Sequence, residues 1–189
     1  MNPVCSHHFF SELCKHTHED ILHYLRHSGA YDPTPVSWKK KLSAFFIPSL
    51  LCVFLHRLSH WFWALKWKRT AKGVETMNLC LHKTRLSCES CIQGGLYIPH
   101  PGAVIFEGRA GKNLKLYAGS ICLAATPSAG ENRFAVLGDN VSLGAICFVQ
   151  GPLAIGNDSQ VGFQVCLTRS VPDHSIVMSP SHRIQGLKP

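Results

Sequence analysis

The chain has 189 residues, of which 46% are hydrophobic and 16% are charged, and its formal net charge is +8. This length predicts one domain, or one domain with a small appendage, and the apolar content is enough for a packed core. The low charged fraction indicates that a partner subunit or lipid covers part of the surface. A basic excess attracts phosphates, acidic lipids and other polyanions without identifying one of them. We expect no nucleic-acid partner.

The nine cysteines are scattered along the chain and odd in number. Residues 1–13 carry histidines and an acid where a signal peptide needs a hydrophobic stretch. We therefore expect a cytoplasmic protein with free, mostly packed thiols. Residue types that bind zinc occur at Cys80, His82, Cys88 and Cys91. The sequence spacing between them is tighter than in zinc ribbons, so we expect buried side chains and no metal.

Residues 1–85 are predicted to form a helical N-terminal region. Thr17 and Asp20 are typical of the start of a helix over 18–28, which Gly29 would end. Prolines make residues 32–35 a linker, and a short basic helix then ends at Pro48. Residues 70–90 are predicted to be irregular.

The most hydrophobic helix is predicted over 49–69. Its apolar face at helical spacing consists of Leu51, Phe54, Leu55, Leu58, Trp61, Phe62 and Leu65. The run is too short to span a membrane. Two interpretations remain, and they do not exclude each other. The helix packs against the rest of the chain and a neighbouring subunit, or it lies in the plane of an acidic membrane. The lysines and arginine that would hold it there are Lys39, Lys40, Lys41, Lys66, Lys68, Arg69 and Lys72.

An aliphatic residue recurs at every sixth position in the C-terminal half. The six are Leu137, Leu143, Val149, Ile155, Val161 and Leu167. A period of six matches neither a lone helix nor a plain hairpin sheet. It is typical of a solenoid whose coils have short straight sides joined by tight corners. We predict this solenoid over 86–175, with a loop extruded at 127–132 and a C-terminal cap over 176–189.

Two segments of this solenoid resemble the serine acetyltransferase family of hexapeptide-repeat proteins. Residues 95–105 read Gly-Leu-Tyr-Ile-Pro-His-Pro-Gly-Ala-Val-Ile, and residues 138–145 read Gly-Asp-Asn-Val-Ser-Leu-Gly-Ala. Residues 47–61, 171–175 and 180–184 are similar as well. The sequence is most similar to shorter relatives that acetylate sugar hydroxyls in surface-polysaccharide pathways.

The resemblance implies a mainly β protein, a left-handed parallel β-helix behind a small helical region, that assembles as a homotrimer and holds acetyl-CoA between subunits. It makes His100 the general base, a role that suits the pKa of histidine. The family's orienting acid falls near Arg85, so Glu107 and Glu89 are the nearest substitutes, and we name Glu107 as the second catalytic residue. A second family histidine has no counterpart between Thr126 and Val136.

Small residues are candidates for the groove that holds the pantetheine chain, because bulky side chains would block it. These residues are Gly119, Ala124, Ala125, Gly144 and Ala145. Arg183 is the candidate for contact with the phosphates of the cofactor.

The sequence thus predicts an acetyl-CoA-dependent O-acetyltransferase that acts on a saccharide hydroxyl in a surface-polysaccharide pathway. One alternative is a serine O-acetyltransferase of cysteine biosynthesis. Another is a scaffold solenoid that has lost the chemistry. We expect a cytoplasmic location, with the helix over 49–69 allowing a peripheral position at the inner face of the membrane.

Overall fold

The computed structural model describes residues 10–28, 46–126 and 133–179. Within these residues, three helices precede thirteen short strands. The helices are α1 (Phe10–His27), α2 (Pro48–Ala64) and α3 (Lys68–His82). The strands are β1 (Arg85–Leu86), β2 (Cys91–Ile92), β3 (Ile105–Phe106), β4 (Gly108–Ala110), β5 (Lys115–Leu116), β6 (Ile121–Leu123), β7 (Ala135–Leu137), β8 (Ser142–Leu143), β9 (Phe148–Gln150), β10 (Ala154–Ile155), β11 (Gln160–Val161), β12 (Cys166–Leu167) and β13 (Ile176–Val177).

The strands form three parallel sheets that the chain visits in a fixed rotation. Sheet A contains β1, β3, β6, β9 and β12, sheet B contains β2, β4, β7 and β10, and sheet C contains β5, β8, β11 and β13. Single bridges, Tyr97 with Lys115 and Ile155 with Val171, continue sheets C and B where no strand is assigned. Each turn of the chain therefore passes through A, B and C and stacks on the turn before it. The predicted parallel β-helix is confirmed.

The aliphatic residues at six-residue spacing form the core of the coil. All six, from Leu137 to Leu167, have at most 6% of their surface exposed. Paired positions lie 18 residues apart in a regular coil, as in Leu137 with Ile155, but 27 apart across the predicted extruded loop, as in Ala110 with Leu137. Residues 127–132 of that loop, and residues 180–189 of the predicted cap, lie outside the described residues. The domain limits at 85 and 175 stay predictions.

Two helical predictions are corrected by the structure. Helix α1 begins at Phe10 rather than near residue 18, because Leu13 and His16 extend its buried face toward the N-terminus. Residues 70–90 are not irregular, since α3 occupies Lys68–His82. Sequence periodicity missed α3 because two of its three buried residues, Glu75 and Asn78, are polar.

Helix α2 buries a different face from the one predicted. Its fully buried residues include His56, Arg57 and Ser59, whereas the predicted apolar face is mostly half-buried. The helix ends at Ala64 rather than 69, and Lys66 in the following turn has a positive φ of 66°. No helix within the described ranges is long and apolar enough to cross a membrane.

The cysteines are packed in part as predicted. Cys52, Cys88, Cys122 and Cys147 are buried free thiols, and burial raises the pKa of Cys122 to about 12, so this thiol is unreactive at neutral pH. Cys91 is disulfide-bonded, so the prediction of free thiols is wrong for this residue. The described residues contain no group of three or more His, Cys, Asp or Glu side chains placed to hold a metal ion.

Candidate functional site

His100 lies on an enlarged corner of the coil. Four residues connect sheet C to sheet A in three later coils, between β5 and β6, β8 and β9, and β11 and β12. In the first coil, where Tyr97 pairs with Lys115, six residues from Pro99 to Val104 make the same connection. His100 is solvent-exposed on this two-residue expansion.

The enlarged corner is held by hydrogen bonds on both sides of His100. The Ser49 hydroxyl, at the start of α2, donates to the Pro99 carbonyl at 2.9 Å. The Ala103 N–H donates to the Lys83 carbonyl at 2.8 Å. Proline on each side of His100 fixes φ at both neighbours. The backbone that carries the imidazole is therefore restrained without closing it off from solvent.

A buried ion pair holds the segment that leads to this corner. Asp20 of α1 is 1% exposed, and its carboxylate accepts hydrogen bonds from the N–H groups of Gly95 at 2.8 Å and Leu96 at 2.7 Å. The same carboxylate accepts from Arg57 of α2 at 2.9 and 3.0 Å. Arg57 also donates to the backbone carbonyls of Ile92 and Gln93. Helices α1 and α2 thus bind the first coil through polar contacts.

Histidines on the two helices make further contacts with the first coil. The His23 ring lies 5.9 Å from the Tyr97 ring in a stacked arrangement, and its Nδ1 contacts the Gly95 carbonyl. His60 donates from Nδ1 to the Cys88 carbonyl at 2.9 Å. Burial lowers the pKa of His23, and it lowers that of His60 to about 4. These imidazoles are therefore neutral at physiological pH.

Glu107, the predicted second catalytic residue, is engaged by an arginine. Arg85 Nη1 lies 3.0 Å from Glu107 Oε1, and Arg85 Nε lies 3.2 Å from Glu75 Oε1. Burial opposes the charge of Glu75, but hydrogen bonds from the Cys88 N–H and Lys72 outweigh it and hold the pKa of Glu75 below its ordinary value. Arg85 therefore stands between two carboxylates.

Glu89, the other substitute considered, is also paired. Its Oε2 accepts a hydrogen bond from Arg133 at 2.8 Å. Among the described residues, no hydrogen bond or ion pair joins the His100 ring to either of these glutamates. Glu107 as an acid that orients His100 stays a prediction.

The predicted site residues divide between two edges of the prism. The edge between sheets C and A, here called the CA edge, brings together His100, Gly119, Gly144 and Ala145. Backbone hydrogen bonds stack its corners, as from Gly119 N–H to the Gly102 carbonyl at 3.3 Å. The edge between sheets A and B, the AB edge, carries Glu107, Ala124 and Ala125. Arg183 lies outside the described residues.

The residues that anchor the site were not identifiable as such from the sequence. Asp20 was interpreted only as a helix-start residue, and its contact with Gly95 spans 75 positions. Ser49 and Pro99 are 50 positions apart. No local pattern signals such pairs, and an arginine in the middle of a mostly apolar helix, Arg57, is the sequence feature that could have indicated a buried partner.

No family model matches the chain. The serine acetyltransferase of Mycobacterium tuberculosis strain H37Rv is 28% identical over 144 residues, which cover 75% of this chain and 62% of that protein. The chain is similar to serine acetyltransferases. The serine acetyltransferase of Buchnera aphidicola subsp. Schizaphis graminum is 26% identical over 136 residues, 70% of this chain and 52% of that protein. The chain spans less than two thirds of the length of both relatives.

Solved serine acetyltransferase structures share the fold. The Entamoeba histolytica isoform 3 structure, in complex with cysteine, has a TM-score of 0.77 at 20% identity over 95% of this chain and 62% of that one. The Neisseria gonorrhoeae structure, in complex with serine, has a TM-score of 0.76 at 18% identity over 90% of this chain and 68% of that one. The predicted fold class, a left-handed parallel β-helix behind a helical region, is confirmed.

These relatives correct the predicted acceptor. The sequence alone favoured a saccharide hydroxyl in a polysaccharide pathway, but the curated relatives and the structural neighbours named above are serine acetyltransferases. The saccharide prediction is therefore wrong, and the matches favour the alternative with a serine acceptor. The residues that gave the resemblance, around His100, do not themselves distinguish a sugar hydroxyl from that of serine.

Proposed function

We propose that this protein is a serine O-acetyltransferase that transfers acetyl from acetyl-CoA to the serine hydroxyl. One observation carries the proposal. The match to the M. tuberculosis enzyme covers 75% of the chain, so it must include His100, which lies near the middle. The structure places this imidazole in solvent on a restrained corner.

His100 acts as the general base in this proposal. Its imidazole takes the hydroxyl proton of serine while the serine oxygen bonds to the acetyl carbonyl carbon. The carbon–sulfur bond then breaks, and the leaving sulfur ends as the thiol of CoA. The products are O-acetylserine and CoA, so no oxidant or metal enters the balance. A hydroxyl needs such a base, because it is a weak nucleophile at neutral pH.

The CA edge carries a row of small residues beside the exposed side chain of Ile146, and we place the acetyl donor along this row. Besides Gly119, Gly144 and Ala145, the corner residues Gly102 and Ala118 also carry at most a methyl group. An extended chain such as pantetheine can lie against a row of small residues without displacing side chains. Acetyl-CoA supplies the activated acetyl group when bound, and these residues would hold its thioester end close to His100.

We also propose a homotrimer, in which the CA edge of one subunit faces the AB edge of the next. This arrangement would place Glu107, Ala124 and Ala125 of one subunit opposite His100 of its neighbour, which a single chain does not do. Light scattering on the purified protein tests this, and a monomeric mass with full activity would contradict it.

The activity is tested by following thiol release from acetyl-CoA with serine, threonine and simple sugars as acceptors. We expect turnover with serine, and a loss of 10²-fold or more in His100→Asn, as is typical for removal of a general base. His174→Asn is the matched control. His174 is an exposed histidine on another edge, and its φ of 55° is one that asparagine tolerates.

Two outcomes would overturn the proposal. Turnover with serine that is equal in wild type and His100→Asn would exclude the base. Background turnover in both, with a melting temperature that still rises on addition of CoA, would favour the scaffold alternative. We propose a cytoplasmic location because acetyl-CoA and free serine are both present there. The predicted peripheral position at a membrane is a separate proposal, because it does not depend on His100 or on the CA edge.

A further inference from the structure

The tip of the hairpin formed by α2 and α3 exposes apolar side chains to solvent. Residues 65–70, here called the hairpin tip, are six consecutive exposed residues. Trp67 is 60% exposed and Leu65 is 36% exposed. Neighbouring exposed apolar groups of this size are typical of a surface that contacts a partner or a membrane.

Trp67 is the last of a row of contacting aromatic rings. It stacks on Phe62 with 5.9 Å between ring centroids and an angle of 8°. Phe62 lies 5.2 Å from Trp61, which lies 6.0 Å from Phe10 at the start of α1. Phe10 is 64% exposed. The row thus crosses the helical layer and is open to solvent at both ends.

The hairpin tip is strongly basic. Its charged residues are Lys66, Lys68 and Arg69, and the sequence contains no Asp or Glu from residue 33 to residue 74. Lys68 Nζ lies 5.4 Å from the centre of the Trp63 ring, within the range of a cation–π contact. Lys72 Nζ also lies near, at 5.8 Å from the centre of the Trp63 ring, but it forms an ion pair with Glu75 Oε2 at 3.0 Å. Three cations therefore lie within two residues of the exposed Trp67 along the chain.

The hairpin tip is far from the candidate active site. Ser49, which bonds the Pro99 carbonyl, stands at the start of α2, and the tip follows its other end. At 1.5 Å per residue, the sixteen residues from Ser49 to Leu65 separate the two by about 24 Å. A surface that bound the tip would leave His100 accessible.

We propose that the hairpin tip docks the protein on an anionic lipid surface. Leu65 and Trp67 enter the boundary between headgroups and acyl chains, where tryptophan is favoured. Lys66, Lys68 and Arg69 lie against the lipid phosphates. Charge complementarity favours lipid over a second copy of this chain, because two copies meeting at their tips would bring six cations together.

Vesicle co-sedimentation of the full chain tests the proposal. We expect binding to vesicles that contain phosphatidylglycerol, no binding to phosphatidylcholine alone, and weaker binding as salt rises. Each neutralised cation should weaken binding about fivefold. The variant with Lys66→Gln, Lys68→Gln and Arg69→Gln should therefore lose about 100-fold. The control with Lys112→Gln, Lys115→Gln and Arg169→Gln removes the same charge from the coil and should bind like wild type.

A second readout tests insertion itself. Lipids brominated near the headgroups should quench wild-type tryptophan fluorescence more than that of Trp67→Ser. If the control variant loses as much vesicle binding as the tip variant, the proposal is overturned in favour of nonspecific charge attraction. Equal quenching in wild type and Trp67→Ser would overturn insertion. A change of oligomeric mass in the tip variant without vesicles would assign the surface to a second copy. None of these measurements depends on acetyl transfer, so their failure is distinct from failure of the proposed activity.

Discussion

Acidification should weaken the contact between α2 and the first coil through His60. Its folded-state pKa is about 4 because burial opposes the charged form, with Arg57 and His16 adding repulsion and the Cys88 carbonyl acting in the opposite direction. An unfolded histidine titrates near 6.5. The unfolded chain therefore binds the proton first as pH falls. The stability that neutral His60 contributes is complete above about pH 6.5 and is lost progressively toward pH 4.

The magnitude follows from the two pKa values. Between pH 7 and pH 5, this one residue should lower the free energy of unfolding by about 2 kcal/mol. Urea unfolding at both pH values measures it, with His60→Gln as the variant, because a glutamine amide can donate to the Cys88 carbonyl but does not titrate. The loss on acidification should be about 2 kcal/mol smaller in His60→Gln than in wild type. His18→Gln, at an exposed position of α1, should behave like wild type.

The quantity compared is the change in the free energy of unfolding between pH 7 and pH 5. Any pH-independent effect of the His60→Gln substitution on stability therefore cancels. Other buried histidines, such as His16 and His23, also have lowered pKa values and destabilise in the same direction, but they are present in both proteins. An equal loss in wild type and His60→Gln would show that His60 is not held neutral. The account of how α2 binds the coil would then be wrong.

Two further predictions concern stability. Asp20→Asn leaves Arg57 buried without its counter-charge and should cost about 3–5 kcal/mol in urea unfolding, whereas a cost below about 1 kcal/mol would show that the pair does not anchor α1. Gly119→Ala places a Cβ at a φ of 75°, 3.2 Å from Ile146 Cγ1, and should lower stability by about 1–2 kcal/mol. Gly73 lies in α3, and a Cβ added there has no atom within 4 Å. Gly73→Ala should therefore stabilise the protein by about 0.5–1 kcal/mol. Equal effects of Gly119→Ala and Gly73→Ala on stability would contradict the conformational argument.

The coil could be predicted from the sequence because its pattern is local. Leu137, Leu143 and Val149 each mark one side of the prism, and the next coil repeats the same spacing. The extruded segment was also predicted, from the turn-forming residues at 127–132, and regular sides precede it at β6 and follow it at β7. His100 was found through a resemblance rather than a period, and it lies on a corner with two more residues than the later coils have.

The helical layer was harder to predict, because about half of its buried residues are polar. Apolar spacing on α2 selected Leu51, Phe54 and Leu58 as the buried face, yet all three are only half-buried. The residues that face the coil, such as Arg57, bond to backbone groups far away in sequence. A periodic pattern of apolar residues therefore misses the part of the contact surface in which polar side chains bond to backbone carbonyls and N–H groups.

The position of the first coil explains why part of this face is polar. A parallel β-helix leaves unpaired backbone groups at each end, and they must be satisfied or covered. Arg57 and His60 of α2 donate to carbonyls of the first coil, and Asp20 of α1 accepts from its N–H groups. The helices thus act as the cap that we had expected only at the C-terminal end. Because capping uses the polar face of α2, its aromatic residues are left to face away from the coil. The same arrangement therefore accounts for both the restrained corner at His100 and the exposed row that ends at Trp67.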